Sequence, residues 1–207
     1  VALEQQGVPN YFGDQRFGLR GDTARVGRAL LSNDFKEALE LLLGRPSGAD
    51  DPTERARSLF DRGDFDAAAD AWPRGFGDNA KLCRTFARQG GDHRRAILSM
   101  PAKNLLFYVS ACQSDLFNRM LADRLRDGLF DRMIVGDVAW KHDNGACFSV
   151  TDPQTDTGRA QNRVAFDGEI LGITVDPGGQ TDGAGDRRLV VRDLEIARHF
   201  ALASRPT

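Results

Sequence analysis

Between about residue 22 and residue 127, apolar positions recur at intervals of three and four. Polar punctuation divides that stretch into a series of amphipathic helices. Asp22 stands where a cap would start a helix running to Leu31, and Asn33 or Asp34 caps FKEALELLL, which Gly44 ends. Asp51-Pro52 supplies a cap and a first-turn proline ahead of TERARSLFDRG, and GDFDAAADAW follows as far as Pro73. DNAKLCRTFARQG (78–90) and DHRRAILSM (92–100) read as two more helices, with Pro101 as a stop. The strongest pattern is CQSDLFNRMLADRLRDG. There Leu116, Phe117, Met120, Leu121 and Leu125 make one apolar stripe, Gln113, Asn118, Arg119 and Arg126 lie off it, and Gly128 ends it. NDFKEAL (33–39) and GDFDAAA (63–69) look alike and hint at paired helical hairpins. Two copies fall short of a solenoid, so they read as a local helical cluster.

Past Phe130 the period changes. VGDVAWKHDNGACFSV reads as two strands around the hairpin signal Asn144-Gly145. QNRVAFDGEILGITVD and RRLVVRDLEI read as further strands, separated by the Gly/Asp-rich loop DPGGQTDGAGD (176–186). Helices first and strands later predict an α+β class rather than alternating βαβ units.

The 207 residues, 41% hydrophobic and 28% charged, have ordinary globular composition, enough for a packed core. The net charge of −2 argues against a strongly basic nucleic-acid binder on average, yet the positive charge is 24 Arg against four Lys. Arginine offers a flat fork suited to phosphate and to stacking on bases, although an Arg-rich codon bias gives the same count. Cys83, Cys112 and Cys147 are odd in number and widely spaced, which suggests reduced thiols and a cytoplasmic protein. His93, His142 and His199 show no ligand spacing with them, so no metal is expected. No apolar run is long enough to span a membrane.

The densest chemistry lies in the first 22 residues, which read as loop and turn. In GVPNYFGDQRFG, Pro9 stiffens the approach, and Gly13 and Gly18 allow unusual backbone angles or close approach. Asn10 carries a donor and an acceptor, enough to read the edge of a uracil. Tyr11, Phe12 and Phe17 offer π-faces, and Arg16 can meet phosphate. A base moved out of its stack needs such a set. A packed loop with buried rings would use the same residues.

Pro9-Asn10-Tyr11-Phe12-Gly13-Asp14-Gln15-Arg16-Phe17-Gly18 resembles the P-N-Y-F-G-x-Q-R-F-G signature of the TruD family of tRNA pseudouridine synthases. GRALL (27–31) follows it as in the family, and SACQSDLFNRMLADRL (110–125) is similar to the family's S-x-x-Q-S-x-L-F-N helix. Gly136-Asp137 and AWKHDNGACFSVTD resemble the opening of the family's insertion domain. The match covers about residues 7–152.

The resemblance implies an isomerase that detaches uracil from ribose, turns it and rejoins it through carbon 5, with no cofactor and no metal. Asn10 and Phe12 would lie against the target uridine. Tyr11, Gln15, Arg16 and Phe17 would either touch the RNA or brace the loop, and Arg20, Arg25 and Arg28 join Arg16 as candidates for phosphate contact. The partner would be tRNA, and the intact protein a cytoplasmic monomer. Residues 1–135 would be a mostly helical part of the catalytic core. Residues 136–207 would be a β-rich segment resembling the start of the insertion domain, followed by a divergent C-terminus.

Two departures qualify this. The family's nucleophilic Asp lies in a G-x-K-D-x-x-A-type motif before the signature, and nothing in the nine residues ahead of Asn10 matches it. Gly18–Ala24 (GLRGDTA) echoes that motif in the wrong place, where Asp22 reads as a helix cap; Asp14 sits at a variable signature position, and Asp137 reads as a turn or cap. The family's G-S-[YF]-A-T-type turn is also missing from the end of the chain. The expectation is therefore a partial chain, inactive alone and with no assigned catalytic residue. The alternatives are a non-catalytic RNA-binding remnant, or a helical protein-interaction domain drawn from the paired DF helices.

Overall fold

The computed structural model describes residues 9–48, 50–130, 134–140 and 147–154. Seven helices make up most of it: α1 (Thr23–Leu31), α2 (Phe35–Leu43), α3 (Glu54–Asp61), α4 (Phe65–Ala71), α5 (Gly77–Arg88), α6 (His93–Leu98) and α7 (Ala102–Arg126). A 3-10 turn, Asp14–Arg16, precedes them. Two compact units divide the chain. Among the described residues, one comprises Asp14–Cys112, and the other takes those up to Gly13 together with those from Gln113 to 154.

The Asp14–Cys112 unit is a stack of helical hairpins. Helix α2 is its centre, packing on α1, α3, α5 and α6. Its core holds Val26, Leu30, Leu39, Leu43, Ile97 and Val109, all almost fully buried. Phe60, Phe65 and Phe86 fill one end, their ring centroids 5.1–5.7 Å apart. The likeness of the two DF pieces is structural. Asn33 (φ 56°) and Gly63 (φ 82°) take the same left-handed turn, and the Asp34 and Asp64 carboxylates accept from the N–H groups of Glu37 and Ala67. A third copy follows in α5–α6. There Gly91 (φ 83°) turns the chain and the Asp92 carboxylate accepts from the Arg95 N–H. Three residues after the Phe35, Phe65 and His93 starts stand Ala38, Ala68 and Ala96, each completely buried. The same small side chain is buried at that point in all three hairpins.

Arg57 locks the end of α2. It is buried, its Nη1 donates to the carbonyls of Leu41 (3.0 Å) and Gly44 (2.7 Å), and its Nε donates to Thr53 Oγ1 (2.7 Å). Its guanidinium lies 5.3 Å from the Trp72 ring centroid. The last carbonyls of a helix lack partners of their own, and a cation there also meets the negative end of the helix dipole. Burial pushes the nearby Asp51 carboxyl up. The Thr53 hydroxyl and N–H, the Ser47 hydroxyl and the Arg20 charge outweigh that and hold it down at about 2.

In the other unit, α7 ends beside a short antiparallel ladder of β1 (Val138–Trp140) and β2 (Cys147–Ser149), in the register Val138↔Ser149. Arg124 and Asp137 form a buried two-pronged ion pair at 2.7 and 3.0 Å, and Asp137 also accepts from the Ile134 N–H (2.9 Å).

The α+β expectation does not hold. The described residues are helical, and no β-rich segment appears among them; the strand pairing found there is this three-residue ladder in a two-stranded sheet. The core is built by helix-on-helix packing, and two short strands bury too little to form a layer. The Asn144-Gly145 turn and the strands expected in 161–176 and 187–196 lie outside the described residues. Asp22 also differs from expectation. It occupies the cap position of α1, but its carboxylate makes no capping bond and instead accepts from Arg20 Nε at 3.1 Å.

Candidate functional site

The signature loop leaves its two leading aromatics in solvent, Tyr11 at 43% and Phe12 at 42% exposure, with Asn10 exposed beside them. Phe12 is nevertheless firmly placed. Its N–H donates to Asn118 Oδ1 and its carbonyl accepts from Asn118 Nδ2, both at 2.9 Å. Its ring meets Phe117 edge to face, with centroids 5.5 Å apart and planes at 81°. Phe117 and Asn118 both sit on α7, so a loop residue borrows its rigidity from a long helix.

The second half of the signature belongs to the other unit. The 3-10 turn is closed by the Phe17 N–H donating to the Asp14 carbonyl (2.9 Å), and the Phe17 carbonyl accepts from the Thr23 N–H (3.2 Å). Gly18, in the left-handed region (φ 77°), then leads the chain toward α1. Arg16 is half-buried; its Nη2 donates to Ser110 Oγ, and its guanidinium lies 5.7 Å from the Phe107 ring centroid. Phe17 is half-buried, and Gln15 is exposed.

Of the arginines considered for phosphate contact, Arg20 is engaged by protein. It bonds Asp22, Asp51 (3.1 Å) and the Arg45 carbonyl (2.7 Å). Arg25 is mostly exposed, 3.5 Å from Glu37, and Arg28 is half-buried. The three acidic residues weighed in the sequence have local roles: Asp14 opens the 3-10 turn, Asp22 pairs with Arg20, and Asp137 pairs with Arg124. Cys83 donates to the Phe65 carbonyl, and burial pushes its thiol up to about 11, which leaves it inert as a nucleophile at neutral pH. No group of three or more metal-ligating side chains occurs among the described residues, and no helix there is long and apolar enough to cross a membrane.

Sequence reading missed Asn118, Ser110 and Arg124. Asn118 reads from the sequence as polar, off the apolar stripe and part of the family-like S-x-x-Q-S-x-L-F-N helix, with no role of its own; its partner lies 106 positions away, and local periodicity carries no signal at that range.

The sequence model of the family tRNA pseudouridine synthase D (TruD) matches residues 1–201. The chain belongs to the TruD family. The match runs past residue 152, through the stretch that the motifs alone left unexplained. Among curated relatives, the chain is 36% identical over 197 residues to a tRNA pseudouridine synthase D of Geotalea daltonii, covering 94% of this chain and 49% of that protein. It is 38% identical over 160 residues to the Geobacter sulfurreducens protein of the same name, covering 77% of this chain and 39% of that one. A crystal structure titled for a TruD protein of Methanosarcina mazei is similar with a TM-score of 0.65 at 27% identity, covering 77% of this chain and 38% of that one. The chain thus spans about half the length, or less, of these TruD-family relatives.

Proposed function

We propose that this chain is part of a TruD-type tRNA pseudouridine synthase, which isomerises a uridine in tRNA to pseudouridine. Phe12 supplies the surface on which the uracil ring lies, and the Asn10 amide reads the edge of that ring. The observation that supports this is the pairing of an exposed Phe12 ring with a backbone fixed on α7, inside the signature that resembles the family's. Base–aromatic stacking needs an open π-face that does not move.

The reaction breaks the bond between ribose C1′ and N1, forms one between C1′ and C5, and moves a proton from C5 to solvent while N1 gains one. Atoms and charge balance without a redox partner. The chain's own contribution is to hold the extruded base and exclude water from its face. Tyr11 and Gln15 stand at the exposed rim as RNA contacts, whereas Arg16 and Phe17 brace the loop. Residues 1–135 serve the catalytic core in this reading, and 136–207 belong with the insertion segment. A tRNA substrate fits a cytoplasmic protein acting as a monomer.

The test is release of tritium from tRNA labelled at uridine C5, by the protein as its source gene encodes it. Formation of the C1′–C5 bond expels that label into water. Release confirms the reaction; salt-dependent tRNA binding without release would instead support an RNA-binding role.

A further inference from the structure

Phe12 is held by two consecutive residues of α7 in two different ways. Asn118 takes its backbone, through one accepted and one donated hydrogen bond of 2.9 Å each. Phe117 takes its ring, edge to face at 5.5 Å. Consecutive helical side chains diverge by about 100°, so the pair straddles the loop residue. A single amide that bonds both the N–H and the C=O of one residue reproduces what a neighbouring strand does in an antiparallel ladder. It fixes both peptide planes, and with them the direction of the Cα–Cβ bond. The edge contact with Phe117 then selects the ring's rotation about that bond, and the residue stays 42% exposed.

We infer that Asn118 is a positioning residue for the base that Phe12 receives, acting through the Phe12 backbone, with Phe117 setting the ring; this rests on the function proposed above. A loop residue alone would sample several ring orientations, each paid in entropy when the base stacks. The clamp settles that orientation before the RNA arrives. Its effect falls on the reacting geometry more than on affinity for the tRNA, most of which comes from contacts along the backbone.

The experiment compares Asn118→Asp, Asn118→Leu and Phe117→Leu with the unaltered protein, again as its source gene encodes it, by tritium release from C5-labelled tRNA. At pH 7.5 the carboxylate introduced by Asn118→Asp keeps the acceptor for the Phe12 N–H but turns a second acceptor on the Phe12 carbonyl. A protonated carboxyl has one donor and one acceptor and restores the amide's pattern. At pH 7.5 Asn118→Asp is expected to lower kcat on the order of 10–100-fold, the scale of a misplaced reacting group, with KM for tRNA changed only a few-fold. Its kcat relative to the unaltered protein at the same pH rises toward pH 5. Asn118→Leu shows a comparable loss that does not recover, and Phe117→Leu a smaller one. A residue that merely held the fold together would give no such recovery.

Asn118→Asp with an unchanged kcat at pH 7.5, or with a loss that low pH does not relieve, overturns the inference. Should Asn118→Asp fail to fold, hydrogen exchange at the Phe12 amide decides it in Asn118→Ser, where exchange as slow as in the unaltered protein overturns the clamp. No tritium release from the unaltered protein removes the proposed function itself, whereas release that is indifferent to residue 118 removes only the positioning role.

Discussion

Gly27→Ala sets two effects of opposite sign against each other. Gly27 lies in the middle of α1, where alanine is favoured over glycine by about 1 kcal/mol. By propensity alone the substitution should stabilise the chain. A Cβ at this position, however, would run into the Tyr108 carbonyl oxygen, and would stand 2.7 Å from the Tyr108 carbonyl carbon and 2.9 Å from Cys112 Cβ. The obstacle is mostly backbone of α7, so no side chain can swing away. Helix α1 has to withdraw by roughly 1 Å, and a gap of about 0.5–1 Å already forfeits a quarter to a half of each dispersion contact across it. Overpacking of this kind costs about 1–3 kcal/mol, and a backbone obstacle puts it at the upper end. Subtracting the propensity gain leaves a net loss of about 2 kcal/mol. Urea unfolding followed by helical circular dichroism reads this as a midpoint lowered by about 1 M, for a slope of about 2 kcal/mol per M. Gly77→Ala, at the start of α5 with open space around it, is the control and should be neutral or slightly stabilising. A midpoint that rises for Gly27→Ala would refute the argument that close approach, not chance, put glycine there.

Arg57→Met should cost about 3 kcal/mol in the same assay, because it strands the Leu41 and Gly44 carbonyls in a buried site; a loss under about 1 kcal/mol would mean water replaces the guanidinium. The Asp51 carboxyl is held at about 2, below its ordinary 3.8. It therefore contributes stability that is complete above about pH 4 and is lost as pH falls toward 2. Asp51→Asn should flatten that part of the stability curve, and an equal acid slope in both proteins would contradict it. If the proposed function holds, Phe12→Ala in the protein as its source gene encodes it should lower kcat/KM for tRNA roughly 5- to 150-fold, the equivalent of about 1–3 kcal/mol, with little change in the urea midpoint; an unchanged rate would take Phe12 out of the site.

The helical series was readable because its signals are local. Asp34 and Asp92 cap by bonding three residues ahead, and the apolar stripes recur within a turn. The third hairpin escaped notice because His93 replaces the phenylalanine of the DF pair. Helix α7 begins at Ala102 rather than near Cys112, since NLLFYVSA gives an apolar run without clear period. Asp22 looked like a cap until the structure brought Arg20 beside it, and Arg20 looked free for phosphate until Asp51, 31 positions on, engaged it. The signature residues were visible as chemistry, but what holds Phe12 lies more than a hundred residues along the chain.

The Arg16–Ser110 bond joins the two ends of the hairpin stack to each other. That has a kinetic consequence. Closing a flexible loop of about 100 residues costs several kcal/mol of chain entropy before any contact rewards it. A stack that folds by its own short-range contacts and then ties its ends together replaces that long search with a short one. Phe12 and Asn118 then need to find each other only across the few residues outside the tie. The expected folding order is hairpins first and the Phe12 loop last, which pulsed hydrogen exchange during refolding would read.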